Sequence, residues 1–573
     1  MGGASVNDAV SVHGRRTTVD RFLEHYYRVR PVNATFTGMH DHDHLLPDWS
    51  RAGTERAIGE MRALRAEIAA HGAAALADAS VASREWDAID LALADSFLEI
   101  QLAELGGRQF QCGNPSLVIG EAAFSVISLM IRDFAPIAQR GRMARSRLAA
   151  LPRFFASALS VVGEGPVPGA WAEKALAECD GLRALLGEGL DRWRAIDGIP
   201  AALSEALRHE GDVALGALEG FATELAGMPR DAAPARACGE EMLSLLLRRG
   251  HWIERSLDEL HRELRERYAL ERTRLDEMAR AADPLGLAAV QARLSAAHPG
   301  PDEYYHAFGE TWRGCHDVAA QHDLVTWPDF PIRYVPIPEY TRKAAASLYY
   351  LFYRSPAPLE PPDVHDYVVT PIEGMDQDAL ERHLRVWNDS TIKLNHVVHH
   401  GALGHHVQNW YAFRSPSRLG RIAATDCAAR IGMFLGGSMA EGWACYATDL
   451  MNECGFLTPD ERVAEQHTQV RMLARALVDI EFHTGRRPFD DAVALYRDEV
   501  GMTPIAARGE ATKNSMFPGT AMMYWLGTSQ IHSLREAMER RDGAGFSLRA
   551  FHDELLSFGS IPVSLSSRLM LAS

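Results

Sequence analysis

Lysine is almost missing from this chain of 573 residues. It occurs only at Lys174, Lys343, Lys393 and Lys513, so 55 of the 59 basic residues are arginine. Acidic residues number 76, for a net charge of −17. A surface short of positive charge is badly matched to a phosphate backbone, which argues against a nucleic-acid partner. The seven cysteines (Cys112, Cys179, Cys238, Cys315, Cys427, Cys445, Cys454) form no CxxC pair. Such scatter in a long chain points to free thiols in a reducing compartment. No apolar run reaches the roughly 18 residues a membrane helix needs. The first twenty residues lack the apolar core of a signal peptide. Together these absences predict a soluble cytoplasmic protein with no membrane partner. Also missing are a GxSxG elbow, a GxxxxGK[ST] loop and a GxGxxG turn inside a βαβ unit, which sets aside serine-hydrolase, P-loop and dinucleotide-binding readings. There is no 20–50-residue repeat and no low-complexity tract.

What is present is helical periodicity. Apolar residues recur at i, i+3, i+4 and i+7 over 54–78, 83–105, 201–227, 236–270 and 460–482, the pattern of amphipathic helices. With 47% hydrophobic and 24% charged residues the chain has material for a sizeable core. Strand signals are few: FPIRYVPIP (330–338) and HDYVVTPI (365–372) alternate and carry β-branched residues. The expected architecture is mainly α with a small β element. Residues 1–320 read as a helical scaffold walling a cleft and 321–573 as the region holding the chemistry, parts of one continuous unit.

The chemistry concentrates in LNHVVHHGALGHHVQNWYA (394–412), where His396, His399, His400, His405 and His406 fall within eleven residues. Neutral imidazole is the commonest ligand of zinc-like metals. In an unbroken helix His399 and His406 share a face, whereas six residues turn a helix through roughly 600° and separate His399 from His405. Gly401 and Gly404 make an unbroken helix doubtful, and two residues looped out near Leu403 and Gly404 would bring His399 and His405 together instead. Both geometries remain open. Glu441 follows in SMAEGWACYATDL (438–450), where a carboxylate on a later helix would complete a two-histidine metal site. Against this stand ordinary roles: a packed histidine, or a first-turn glutamate favoured by the helix dipole.

Other candidates are weaker. Tyr524 could donate a hydrogen bond to an oxyanion or simply pack. Arg475, Asp479 and His483 share one helix face at i, i+4 and i+8; Arg475 and His483 could bind a substrate anion, or the set could be an intrahelical ion pair. Lys513 is a further candidate for a substrate anion. MHDHDH (39–44), with His40, His42 and His44, could bind a second metal but reads more simply as a polar loop. Cys445 and His552 read as packing residues.

Three motifs carry a resemblance. HHGALGHHVQ (399–408) is similar to HExxPGHHxQ, EGWACY (441–446) to EGWAxY, and FPGTAMMYWLG (517–527) to PGQALxYKxG. These are the patterns of the bacterial domain-of-unknown-function family 885, zincin-like proteins described as metallopeptidases or carboxypeptidases. Similar stretches at 33–50, 475–496 and 546–565 extend the resemblance over nearly the whole chain. It implies a large helical fold with a deep cleft and a metal, zinc first and iron or copper second, held by His399, His405 and Glu441, with His406 as alternative in an unbroken helix. In such a site the metal polarises a carbonyl and activates water, and the glutamate after the first histidine takes the water proton. Here His400 stands at that position. Leu403, Thr520, Trp525, Lys513 and Asn514 also depart from the family pattern. A neutral histidine can serve as base, so the expected function is a metal-dependent hydrolase of a small amide or peptide-like substrate with His400 as proton-transfer group. The alternatives are a repurposed relative performing a lyase, cyclase or redox step in small-molecule biosynthesis, and an inactive binding protein.

Overall fold

The computed structural model describes residues 17–70, 85–345, 355–425 and 430–572. Cys427 and parts of the expected helices 54–78 and 83–105 lie outside them. Helices account for 71% of the structure and strands for 3%, so the fold is mainly α with one small β element.

Local sequence sets the helix ends. Thr458 accepts from the Glu461 N–H while the Glu461 carboxylate accepts from the Thr458 N–H. Ser256 and Glu259 do the same, each pair satisfying two of the N–H groups a helix start leaves open. Proline occupies the first position of α1 (Pro115–Met130), α7 (Pro459–His483) and α8 (Pro504–Met516), where its missing N–H costs nothing.

Three cores hold the molecule. The N-terminal one packs α2 (Ile137–Val162) against α1 and α3 (Ala201–Gly227). A second seats α4 (Leu257–Ala282) on α7, burying Leu257, Leu260, Leu264 and Tyr268 at helical spacing. The largest mixes residues from the first hundred, such as Phe22 and Phe97, with Trp443, Tyr446 and Leu569 from the last two hundred. The expected helix over 236–270 is broken: a π-helical turn ends at Gly250, Trp252 takes φ 55°, and α4 starts afresh after the Ser256 cap. The β element is a parallel pair, β1 (Ile332–Pro336) and β2 (His365–Val369), with Tyr334 beside Tyr367. Among the described residues no helix is long and apolar enough to cross a membrane.

Candidate metal centre

The histidine segment is a π-helix, Ile392–Gly401, started by the Asn388 side chain accepting from the Thr391 N–H at 2.9 Å. It ends where Ala402 takes φ −130°, ψ −110°. The Ala402 N–H donates to the Val397 carbonyl (2.7 Å) and the Gly404 N–H to that of Val398 (2.9 Å). Two indoles pin the break: Trp312 donates to the Gly401 carbonyl at 3.0 Å and Trp443 to that of Leu403 at 2.8 Å. The chain passes itself so closely that a Cβ on Gly404 would lie 1.9 Å from the His399 carbonyl oxygen. Beyond the break α5 (His405–Ala412) begins.

The break settles which histidine faces which. His405 meets His399, ring centroids 4.9 Å apart and planes perpendicular. His406 turns into the core, donates from Nε2 to the Phe330 carbonyl at 2.6 Å and stacks on Phe330. Of the two geometries open in the sequence the broken helix obtains, and His406 lies away from the cleft.

Glu441 comes from α6 (Gly437–Glu453), which crosses α9 (Met523–Asp542) with backbones in contact. A Cβ on Gly442 would sit 2.5 Å from the Gly527 Cα, and one on Gly527 1.9 Å from the Ser438 carbonyl oxygen. The crossing puts Glu441 Oε2 3.4 Å from His399 Nε2 and 3.6 Å from His405 Nε2. Burial works to raise the Glu441 pKa, but hydrogen bonds from His399 and His405 outweigh it and hold the carboxyl well below the usual range. Burial lowers the pKa of His399, which favours the neutral, ligating imidazole.

His400 stands beside them. Among the described residues His399, His400 and His405 form a group whose ligand atoms lie within 4.8 Å of one another. His400 Nδ1–H donates to the Asn395 carbonyl at 2.7 Å, a tautomer that leaves Nε2 as acceptor. Burial, then the neighbouring His399, His405 and His396, keep it neutral well below the ordinary histidine value. His396 behind it bonds the Tyr367 hydroxyl at 2.7 Å and stacks on Trp387 at 4.1 Å.

These groups floor a cleft of about 1910 Å³ also lined by Arg471, Arg475, Lys513 and Tyr524. Arg475 donates to Glu510 at 2.5 Å and its guanidinium lies 5.4 Å from the Tyr524 ring centre. His483 is elsewhere. It is 1% exposed, its Nδ1 accepts from the Cys238 N–H (3.1 Å) and its Nε2–H donates to the Asn514 carbonyl (3.0 Å). It is a buried tie between segments and does not line the cleft. Asp479 is likewise buried, accepting from the Gly519 N–H at 3.2 Å. His40 bonds Asp43 and Glu360, a polar loop tied across the fold. Cys445 lines the cleft, and burial followed by the charges of Glu441, Glu465 and Asp449 keeps it a thiol. Reading of the sequence passed over Asp449, Glu465 and Arg471, all on the cleft wall. The available signal was spacing: Asp449 lies two turns after Glu441 on α6, and Arg471 one turn before Arg475 on α7.

The donor set fits a metal. Ligands of a tetrahedral zinc with bonds of about 2.0–2.2 Å stand about 3.3–3.5 Å apart, and the Glu441 oxygen is 3.4 and 3.6 Å from the two imidazole nitrogens.

The profile of a bacterial protein family of unknown function, DUF885, matches residues 31–570. No curated protein matches the chain. A solved structure from Shewanella oneidensis, described as "a putative lipoprotein of unknown function", aligns with TM-score 0.74 and 20% identity, over 97% of this chain and 99% of its own. One from Colwellia psychrerythraea, described as "the putative lipoprotein", aligns with TM-score 0.74 and 16% identity over the same shares. At these identities the likeness establishes the fold. Both neighbours are described as putative lipoproteins, which overturns the expectation of a cytoplasmic protein. Scattered thiols do not discriminate between the two settings, and residues 1–16, on which the rest of that expectation leaned, lie outside the described structure.

Proposed function

The chain belongs to DUF885, a family of bacterial proteins of unknown function, and we propose from its site that it is a metal-dependent hydrolase of a small amide or peptide-like substrate. One observation carries the reading: His399, His405 and Glu441, from three separate elements, converge at 3.4 and 3.6 Å, the spacing of neighbouring ligands on one metal. His399, His405 and Glu441 would hold Zn²⁺, which when bound supplies Lewis-acid polarisation of a carbonyl and activation of water. His400, oriented through Asn395, takes the proton of the attacking water as the C–O bond forms. It returns that proton to the leaving nitrogen as the C–N bond breaks. Tyr524, on the same cleft wall, donates to the developing oxyanion. Arg475, which donates to Glu510, and Lys513 line the same cleft and would face an anionic end of the substrate. The cleft, at about 1910 Å³, exceeds the roughly 300–1,000 Å³ of ordinary small-molecule pockets, which favours an extended, peptide-like ligand.

A second reading rests on its own observation, the three imidazoles sharing one centre. A three-histidine set with His400 as ligand suits iron or copper and a lyase, cyclase or redox step. Metal analysis by inductively coupled plasma mass spectrometry on untagged protein separates the two. The hydrolase reading expects near-stoichiometric zinc in the wild type and in His400→Ala but none in His399→Ala, with cleavage of a panel of short peptides and acyl amides lost in both variants. Iron or copper, or metal lost in both variants, moves the assignment to the second reading. A wild type that takes up no metal on reconstitution overturns both.

A further inference from the structure

A second cavity lies outside the cleft, about 200 Å³, between the N-terminal helices and α1 and closed by Met433 and Phe517. Its lining is mixed: apolar Phe124, Met433 and Phe517 and polar Arg30, Asn33, Thr54 and Glu121 all border it. The polar groups are incompletely satisfied. Asn33 is only 8% exposed; its Oδ1 accepts from the Tyr26 hydroxyl at 2.6 Å, but its Nδ2 has no hydrogen-bond partner. The Thr54 hydroxyl has none either. Glu121 has no hydrogen-bond or ion-pair partner among the described residues, although Arg30 and Arg147 are near enough to act on its charge. Arg30 donates to the neutral Gln101 and lies over the Tyr26 and Phe97 rings, so no carboxylate hydrogen-bonds to it.

Buried polar groups in folded proteins are nearly always hydrogen-bonded, and leaving one unmade is costly. Two buried open valences, Asn33 Nδ2 and the Thr54 hydroxyl, beside the unpaired Glu121 carboxyl, therefore point to an occupant. Water alone would answer the polar groups and leave Phe124, Met433 and Phe517 wetted, where an apolar group would pack. At about 200 Å³ the space is many times the roughly 10–15 Å³ that one water needs, room for a small organic molecule.

We propose that this cavity binds a small zwitterion, an α-amino acid with an apolar side chain. Its ammonium group lies on Glu121, its carboxylate accepts from Asn33 Nδ2 and faces Arg30, and its side chain packs against Phe124, Met433 and Phe517. Burial pushes the Glu121 carboxyl up to about 7, so an adjacent cation tips it to the ionised form. The site is independent of the metal centre.

Isothermal titration of the full-length protein with L-leucine, L-methionine and L-phenylalanine tests this, with leucinamide (no carboxylate) and 4-methylpentanoate (no ammonium) as controls. At least one of the three amino acids is expected to bind, with each leucine control at least tenfold weaker than leucine. Glu121→Gln and Asn33→Ala are each expected to weaken binding at least tenfold, and His399→Ala to leave it unchanged. No binding by any of the three, meaning water only, overturns the proposal. So does 4-methylpentanoate binding as well as leucine, or binding lost in His399→Ala and kept in Glu121→Gln, which would place the ligand in the large cleft. Circular dichroism of Glu121→Gln and Asn33→Ala confirms that each is folded.

Discussion

His405 and His406 are neighbours separated by one 100° step of a helix, and that step decides which of them faces Glu441. The choice is made by Gly404, where a side chain would collide with the His399 carbonyl, and by the indoles of Trp312 and Trp443, which hold the carbonyls of the break. Gly404 is adjacent and was visible in the sequence, but the two indoles come from far along the chain, which is why the residues alone left two geometries open. The two histidines consequently have opposite liabilities. His406→Ala removes the donor to the Phe330 carbonyl and should cost about 1–3 kcal/mol of stability with metal content unchanged. His405→Ala should abolish metal binding at a smaller cost in stability. Denaturation midpoints measured beside metal content check both, and a His406→Ala protein that loses its metal would place His406 in the site after all. His483 makes the same point. Its helical spacing from Arg475 and Asp479 looks like a binding face, yet both its ring nitrogens are held by backbone groups from distant segments, and spacing cannot reveal that.

At the scale of elements, the site depends on the crossing of α6 and α9. Gly442 and Gly527 let the two helices touch backbone to backbone, and this contact sets the height of Glu441 against the two histidines. A methyl group at Gly442 would meet the Gly527 Cα at 2.5 Å, a contact only helix displacement can relieve. Overpacking of this kind costs about 1–3 kcal/mol. Gly442→Ala is expected to lower the denaturation midpoint and to weaken zinc affinity by at least tenfold, although it removes no ligand; competition with a chelator measures the second effect. Unchanged affinity would show that Glu441 is not positioned by the crossing. Much at this scale was legible in the sequence. The apolar periodicity over 201–227 and 460–482 became Ala201–Gly227 and Pro459–His483, and both strand signals paired. Periodicity failed where the backbone departs from 3.6 residues per turn. The π-helix Ile392–Gly401 has no compositional mark, and the break near Trp252 interrupts a pattern that is apolar on both sides.

For the whole molecule, burial of titratable groups sets the dependence of stability on pH. His25, His251, His483 and His552 are pushed down to about 4 by burial. They are neutral in the fold, so the stability linked to them is present above their unfolded value near 6.5 and lost as pH falls through about 4. Buried carboxyls act in the other direction. Burial lifts Asp90 to about 6, Glu121 to about 7 and Asp479 to about 8. A carboxyl raised in the fold contributes stability that is present below its unfolded value near 4 and lost as pH rises through the folded value. Between pH 6.5 and 8 the four histidines are neutral in the fold and finish titrating only in the unfolded chain, a gain that is the same with or without Asp479, and of these three carboxyls Asp479 acts across the whole window. Asp479 is fully buried, so that interval should cost about 2 kcal/mol through this group alone. Asp479→Asn keeps an oxygen for the Gly519 N–H and removes the titration, while the rest of the molecule's charge stays in both proteins. Urea unfolding at pH 6.5 and 8.0 should therefore show a change in stability across the window that is about 2 kcal/mol less favourable in the wild type than in Asp479→Asn. If the two proteins change in parallel, Asp479 is ionised in the fold, and the backbone N–H groups around it hold its charge better than burial disfavours it.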